Sequence, residues 1–142
     1  GDIPLSLVQK IPLSGAIIVT TPQTIATLDA EKAIQMFIKM NIPIIGIVAN
    51  MAWHACENCE EKSYIFGQNG AKLLAEKYQL PLLGELPLLN SIREHGDRGA
   101  PIATQKNHGN ALLWEHIAGK ASLELAKRPL NQAPKMPPIR VE

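Results

Sequence analysis

The sequence predicts an α/β protein with a parallel sheet, and three observations carry that prediction. Two apolar runs rich in β-branched residues, 15–20 and 44–49, have the composition of strands covered on both faces. The segment between them repeats its apolar residues at helical spacing. Aromatic residues are only 4% of the chain while apolar residues are 46%, so the core must be built from Ile, Leu, Val and Ala. At 142 residues the chain is long enough to bury such a core as one domain.

Taken in order, residues 3–10 form a short, mildly amphipathic segment, and Ile11-Pro12 leads into the first strand. Thr21-Pro22 reads as an N-cap with proline at the first helical position. The helix is expected to reach about Met40, with Ala26, Ala30, Ala33, Ile34, Phe37 and Ile38 inward and Asp29, Lys32, Gln35 and Lys39 outward. Asn41-Ile42-Pro43 breaks it, because proline lacks an amide and disfavours helix before it. Strand, helix, strand at this spacing makes a right-handed crossover. Ligands of such sheets gather at the carboxyl ends of the strands, where Thr20, Thr21, Asn50 and Met51 fall.

Further on, residues 67–70 turn the chain into a helix over 71–78, and a third short strand over 82–86 closes at Pro87. A helical turn is expected over 91–96 and a loop over 99–110. The last helix, 111–127, offers Leu112, Leu113, Ile117, Leu123 and Leu125 to the core, with Trp114 expected there too. The domain is thus placed at residues 1–128. Residues 129–142 contain four prolines and little to bury, and are expected to be a disordered or extended tail.

Charge and cysteine content narrow the function. Fourteen basic against thirteen acidic residues, with no basic block, argue against a nucleic-acid partner. The longest apolar run, 42–49, is far too short to span a membrane. Two cysteines at metal-ligand spacing, with no others, fit a reducing cytoplasm better than a disulfide scaffold. Gly1-Asp2-Ile3-Pro4 opens without an initiator methionine in what reads as a loop, so a longer parent polypeptide is expected. His95, His108 and His116 are scattered without a serine or carboxylate pattern, and no catalytic residue is assigned.

Cys56 and Cys59 form a C-x-x-C pair in the polar stretch after the second strand. Two thiolates at this spacing grip one side of a soft metal or cluster but cannot close a four-ligand shell. Further ligands must come from elsewhere in the chain, His54 among the candidates, or from a second copy. Three readings stay open: a cluster or metal shared across a two-fold axis, a redox dithiol, and a zinc-stapled interaction module. The dithiol reading is weakened because the pair is followed by charged loop instead of a helix.

The chain resembles the Mrp/ApbC-type iron–sulfur carrier ATPases, relatives of the MinD and nitrogenase iron protein group. The resemblance runs over roughly residues 1–126. Gln9-Lys10-Ile11-Pro12, Ala16 to Gln23, Leu28-Asp29-Ala30 with Lys32, Gly46-Ile47-Val48 with Asn50-Met51, Ile65-Phe66-Gly67, Leu83-Gly84 to Pro87-Leu88 and Ser91-Ile92-Arg93 to Gly96-Asp97 carry it. It implies the C-terminal part of a mostly parallel P-loop NTPase sheet with flanking helices. It also implies a homodimer that binds a [4Fe–4S] cluster through Cys56 and Cys59 and delivers it to apo iron–sulfur proteins. Zinc is expected to substitute in aerobic preparations. Asn50, Pro87 and Leu88 match positions near the adenine, and Asp29 with Lys32 matches a helix near nucleotide and dimer interface. Without the resemblance, Asn50 is a turn cap, Asp29 and Lys32 a solvated face, and Trp53 a residue that packs on a partner subunit.

Two departures stand out. Glu57 and Glu60 follow the cysteines where the family often has proline and glycine. No stretch fits G-x-x-x-x-G-K-[ST], the loop that holds ATP phosphates. The resemblance places that loop upstream of Gly1, so ATP/Mg binding and hydrolysis are expected of the full-length protein and not of this chain. The missing strand and helix would leave a sheet edge uncovered, and self-association or poor solubility is expected.

Overall fold

The computed structural model describes residues 2–56, 58–105 and 108–128. The expected tail, 129–142, lies outside the described residues, as does Glu57. A short helix α1 (Asp2–Lys10) replaces the expected opening loop and leads to strand β1 (Ala16–Thr20). Helix α2 (Thr24–Lys39) and strand β2 (Ile44–Ala49) follow. Strands β3 (His54–Ala55) and β4 (Lys62–Ser63) make a separate hairpin. Helix α3 (Gly70–Tyr78), strand β5 (Leu82–Glu85), helix α4 (Asn90–Asp97), a 3₁₀ turn (Ile102–Thr104) and helix α5 (Ala111–Ala126) complete the order. Among the described residues no helix is long and apolar enough to cross a membrane.

The main sheet has the order β1-β2-β5, all parallel, with β2 in the centre. All six residues of β2 are buried, as its unbroken apolar run predicts. On one face Ile18, Ile44, Ile47 and Ala49 pack against Ala30 and Ile34 of α2 and Ala71, Leu74 and Ala75 of α3. On the other face Val48, Leu83 and Leu86 pack against Leu113, Trp114, Ile117 and Ala121 of α5. Gly84 lets α5 approach, because a Cβ there would lie 2.5 Å from Ile117.

Three expectations are corrected. β1 is covered on one face only: Ile17 and Val19 are 43% and 59% exposed, because α5 lies over β2 and β5 and does not reach it. Among the described residues β1 pairs with β2 alone, so its outer edge is open. Leu112, Leu123 and Leu125 are exposed and only Leu113 and Ile117 of the expected set reach the core. α2 begins at Thr24 and not at Pro22, since Gln23 keeps an extended backbone and Pro22 is buried against Gly70.

The helix ends follow backbone chemistry more than proline. Asn41 adopts φ 55°, the left-handed conformation that lets Asn41 N–H reach Ile38 O and Ile42 N–H reach Phe37 O. α3 ends in the same way at Gln79, with Leu80 N–H donating to Ala75 O. Glu31 of α2 then ties the two helices together, accepting from Lys77 Nζ at 2.5 Å and from Tyr78 Oη at 2.7 Å.

Candidate metal centre

The carboxyl edge of the sheet is extended by the segments that leave it. Asn50 N–H donates to Thr20 O and Leu86 N–H to Ala49 O, each at 2.8 Å. Ala52 N–H donates to Leu86 O at 2.8 Å, and Leu88 N–H to Trp53 O at 2.7 Å. Residues 50–53 and 86–88 are thus stitched into one unit, and that unit brings Asn50, Pro87 and Leu88 to the same edge as the cysteine hairpin. Pro87 is buried and Asn50 and Leu88 are half-buried. Asn50 Oδ1 accepts the Met51 N–H at 3.0 Å, the turn-capping arrangement open to asparagine.

The cysteines sit in the turn joining β3 to β4. The sequence reads as polar loop here; the structure has instead a short antiparallel ladder pairing His54 with Ser63 and Ala55 with Lys62. Cys56 N–H donates to Glu61 O at 3.0 Å and Glu60 N–H to Cys56 O at 2.9 Å, which closes the turn. Cys56 is half-buried at its base and Cys59 is exposed at its tip. Glu60 stands at φ 56°, a conformation that glycine adopts freely and a residue with a Cβ does not.

Two side chains anchor this hairpin, and neither role was legible from sequence. The His54 ring donates from Nδ1 to Leu88 O at 3.0 Å, since a carbonyl can only accept. Lys62 Nζ lies 4.4 Å from the centre of the Trp53 ring, within cation–π range. Trp53 itself is half-buried and packs on the core of its own chain. Only the 34-residue separation of His54 and Leu88 hides their contact; a histidine facing a strand end is the one signal that could have raised it.

Among the described residues no group of three or more His, Cys, Asp or Glu side chains converges to hold a metal ion. Cys56 and Cys59 lie beyond the carboxyl ends of the strands, the edge where α/β proteins bind ligands. A cavity of about 100 Å³ lies beside it, between the strand ends, Tyr64 and the first turn of α3. That is room for a few waters, well below the volume of a small-molecule site. Asp29 and Lys32 form an exposed ion pair at 3.1 Å, the geometry of a solvated helix face.

A parallel sheet flanked by helices is the architecture of a P-loop NTPase half-domain. A solved nucleotide-binding protein from Archaeoglobus fulgidus, in complex with ADP, matches 79% of this chain and 45% of its own at 35% identity and TM-score 0.64. The cell-division ATPase MinD from Pyrococcus furiosus shares the fold over 78% of the chain at TM-score 0.59 and 22% identity. The family model for ParA, described as NUBPL iron-transfer P-loop NTPase, matches residues 1–121, and the chain belongs to that family. An iron–sulfur cluster carrier protein of Pseudomonas fragi is 47% identical over 83% of the chain and 42% of its own length. The mouse iron–sulfur cluster transfer protein NUBPL is 45% identical over 91% of the chain and 41% of its length. The chain thus spans less than half the length of these relatives.

Proposed function

We propose that the chain carries an iron–sulfur cluster as cargo and hands it to apoproteins. Each copy presents Cys56 and Cys59, and a two-fold axis through the hairpins brings four thiolates onto one [4Fe–4S] unit. The observation that carries this reading is the closed cysteine turn itself. It holds two cysteines at the carboxyl edge of the sheet, with no third candidate ligand converging on them among the described residues. Neither cysteine opens a helix, the setting that activates a redox dithiol.

Transfer is a ligand exchange without net redox change. A recipient thiolate forms a bond to a cluster iron, the bond to Cys56 or Cys59 breaks, and the released thiolate takes up the proton the recipient thiol gave up. Four such exchanges move the cluster intact. In the longer protein that carries a P-loop, Asn50, Pro87 and Leu88 contact the adenine. The stitched segments 50–53 and 86–88, with the His54 bond to Leu88, then relay nucleotide state to the hairpin. ATP hydrolysis belongs to that longer protein and not to this chain.

Anaerobic reconstitution with iron and sulfide tests the proposal. The expected product is a dimer with broad absorbance at the violet end of the visible range, lost in Cys56→Ser and in Cys59→Ser alike. A monomer that takes up neither iron nor zinc with both thiols reduced would overturn it. Insulin reduction dependent on both cysteines would put a dithiol in its place, and stoichiometric zinc without iron uptake would put a zinc-stapled module there.

A further inference from the structure

Holding two copies on one cargo takes more surface than the cysteine hairpins have. β3 and β4 supply two residues each. A stable association buries roughly 800 Å² on each partner, with an apolar centre and a polar rim. Residues 56–61 are polar apart from the two cysteines and offer no such centre.

Apolar surface lies directly beside the hairpin. Met51, Tyr64, Ile65 and Leu73 are all exposed, from 36% for Met51 to 62% for Leu73. The small cavity at the carboxyl edge gathers them. Tyr64 is part of its wall, and Met51, Ile65 and Leu73 adjoin the wall residues Ala52, Tyr64 and Lys72 in turn. The chain reaches Tyr64 straight from β4, and Gly67 N–H donates to Tyr64 O at 3.0 Å, which turns Tyr64 and Ile65 at the foot of the hairpin. Lys72 and Glu85 in the cavity wall, with Glu61 and Lys62 on the hairpin, set exposed charges of both signs next to the patch. Three separate elements thus leave apolar side chains in water at one place, the foot of the segment that carries the cysteines.

We propose that Met51, Tyr64, Ile65 and Leu73 form the apolar centre of a docking surface for a second copy of this chain. Both copies give the same patch, as a two-fold contact requires. This rests on the cargo reading above and supplies the surface that reading needs. The four residues bind no metal; they hold two copies so that both cysteine pairs reach one cargo.

The full chain, reconstituted anaerobically with iron and sulfide, is followed by sedimentation over a dilution series. Ile65→Ser and Leu73→Ser each remove one exposed side chain from the patch, on different elements. Leu123→Ser removes an equally exposed one from α5, near the end that Arg128 ties to Ile44 O at the opposite edge of the sheet. Melting of the cargo-free chain should be the same in all three. The dimer dissociation constant should rise about tenfold in Ile65→Ser and in Leu73→Ser, and by less than about twofold in Leu123→Ser. Iron bound per chain at high protein concentration should match the wild type throughout. Wild-type dimer affinity in either patch variant, or an equal loss in Leu123→Ser, overturns the inference and leaves the cargo reading standing. Patch variants that dimerise normally but slow transfer to an apoprotein also overturn it, and give the patch to the recipient instead. A wild type that binds no iron removes both readings, and the iron content reports this before any dimer is measured.

Discussion

β2 and the cysteine hairpin are separated by only four residues, 50–53, yet they are physical opposites. β2 is bonded to a strand on each side, buried along its whole length and made only of apolar residues and glycine. The hairpin pairs two residues with two, stands largely in water and holds Glu60 in a conformation it disfavours. The difference separates two demands. Stability comes from a strand that can adopt no other place, while ligand exchange needs a segment that opens at low cost. The bonds joining 50–53 to 86–88 let the first position the second without stiffening it.

The sharpest way to break the comparison is one substitution at each end of it. Ile47 is fully buried between α2 and α3, and Ile47→Ala removes its packing and leaves a cavity. The expected cost is about 2–5 kcal/mol, read as a lower denaturant midpoint with unchanged slope. Cys59→Ser at the exposed tip should move stability by no more than about 0.5 kcal/mol while abolishing metal uptake. If Cys59→Ser proved as destabilising as Ile47→Ala, the hairpin would be part of the core and the division would fail.

How much of this was legible in the sequence follows the same line. β1, α2 and β2 could be read because their periodicities differ and because β-branched runs mark buried strands. Cys56 and Cys59 could be read because their spacing carries chemistry by itself. β3 and β4 could not: two-residue strands of mixed polarity have no period to detect. The conformation of Glu60 was equally hidden, since glutamate carries no preference for positive φ and only the closed turn imposes it. Leu112, Leu123 and Leu125 misled because α5 is apolar on more than one face, and a three-stranded sheet is too narrow to cover them. Pro22 misled because Thr-Pro is a good helix start, yet packing under α3 holds it in the turn before the helix.

That packing supplies the next test. Gly70 opens α3 so close to the preceding turn that a Cβ would lie 2.2 Å from Pro22 O. The obstacle is backbone, so Gly70→Ala must push α3 away from the β1–α2 turn instead of rotating a side chain aside. A loss of about 1–3 kcal/mol is expected. Because the turn lies at the carboxyl edge, the same variant should perturb the amides of Asn50 and Ala52 more than those of β3 and β4. Equal perturbation of the hairpin would mean that edge and hairpin move as one body.

The smallest effect concerns pH, and it belongs to the scaffold alone. The Lys77 ammonium, then the Tyr78 hydroxyl, donate to Glu31 and hold its carboxyl below the ordinary value of 4.5. The same contact with Glu31 raises Lys77 above 10.5. A carboxyl whose folded pKa is depressed binds fewer protons folded than unfolded, so its contribution is present above 4.5 and is lost as pH falls through the lower folded value. For the raised lysine the contribution is whole below 10.5 and is lost as pH rises through the folded value. Lys77 is exposed and Glu31 half-buried, so salt screens the contact in part and both limbs should be shallow. Glu31→Gln should flatten the acid limb of the stability curve for the α2–α3 contact and leave any metal uptake by Cys56 and Cys59 unchanged at neutral pH. A change in uptake would show that the helices behind the sheet, and not only the hairpin itself, set the geometry of the cysteine pair.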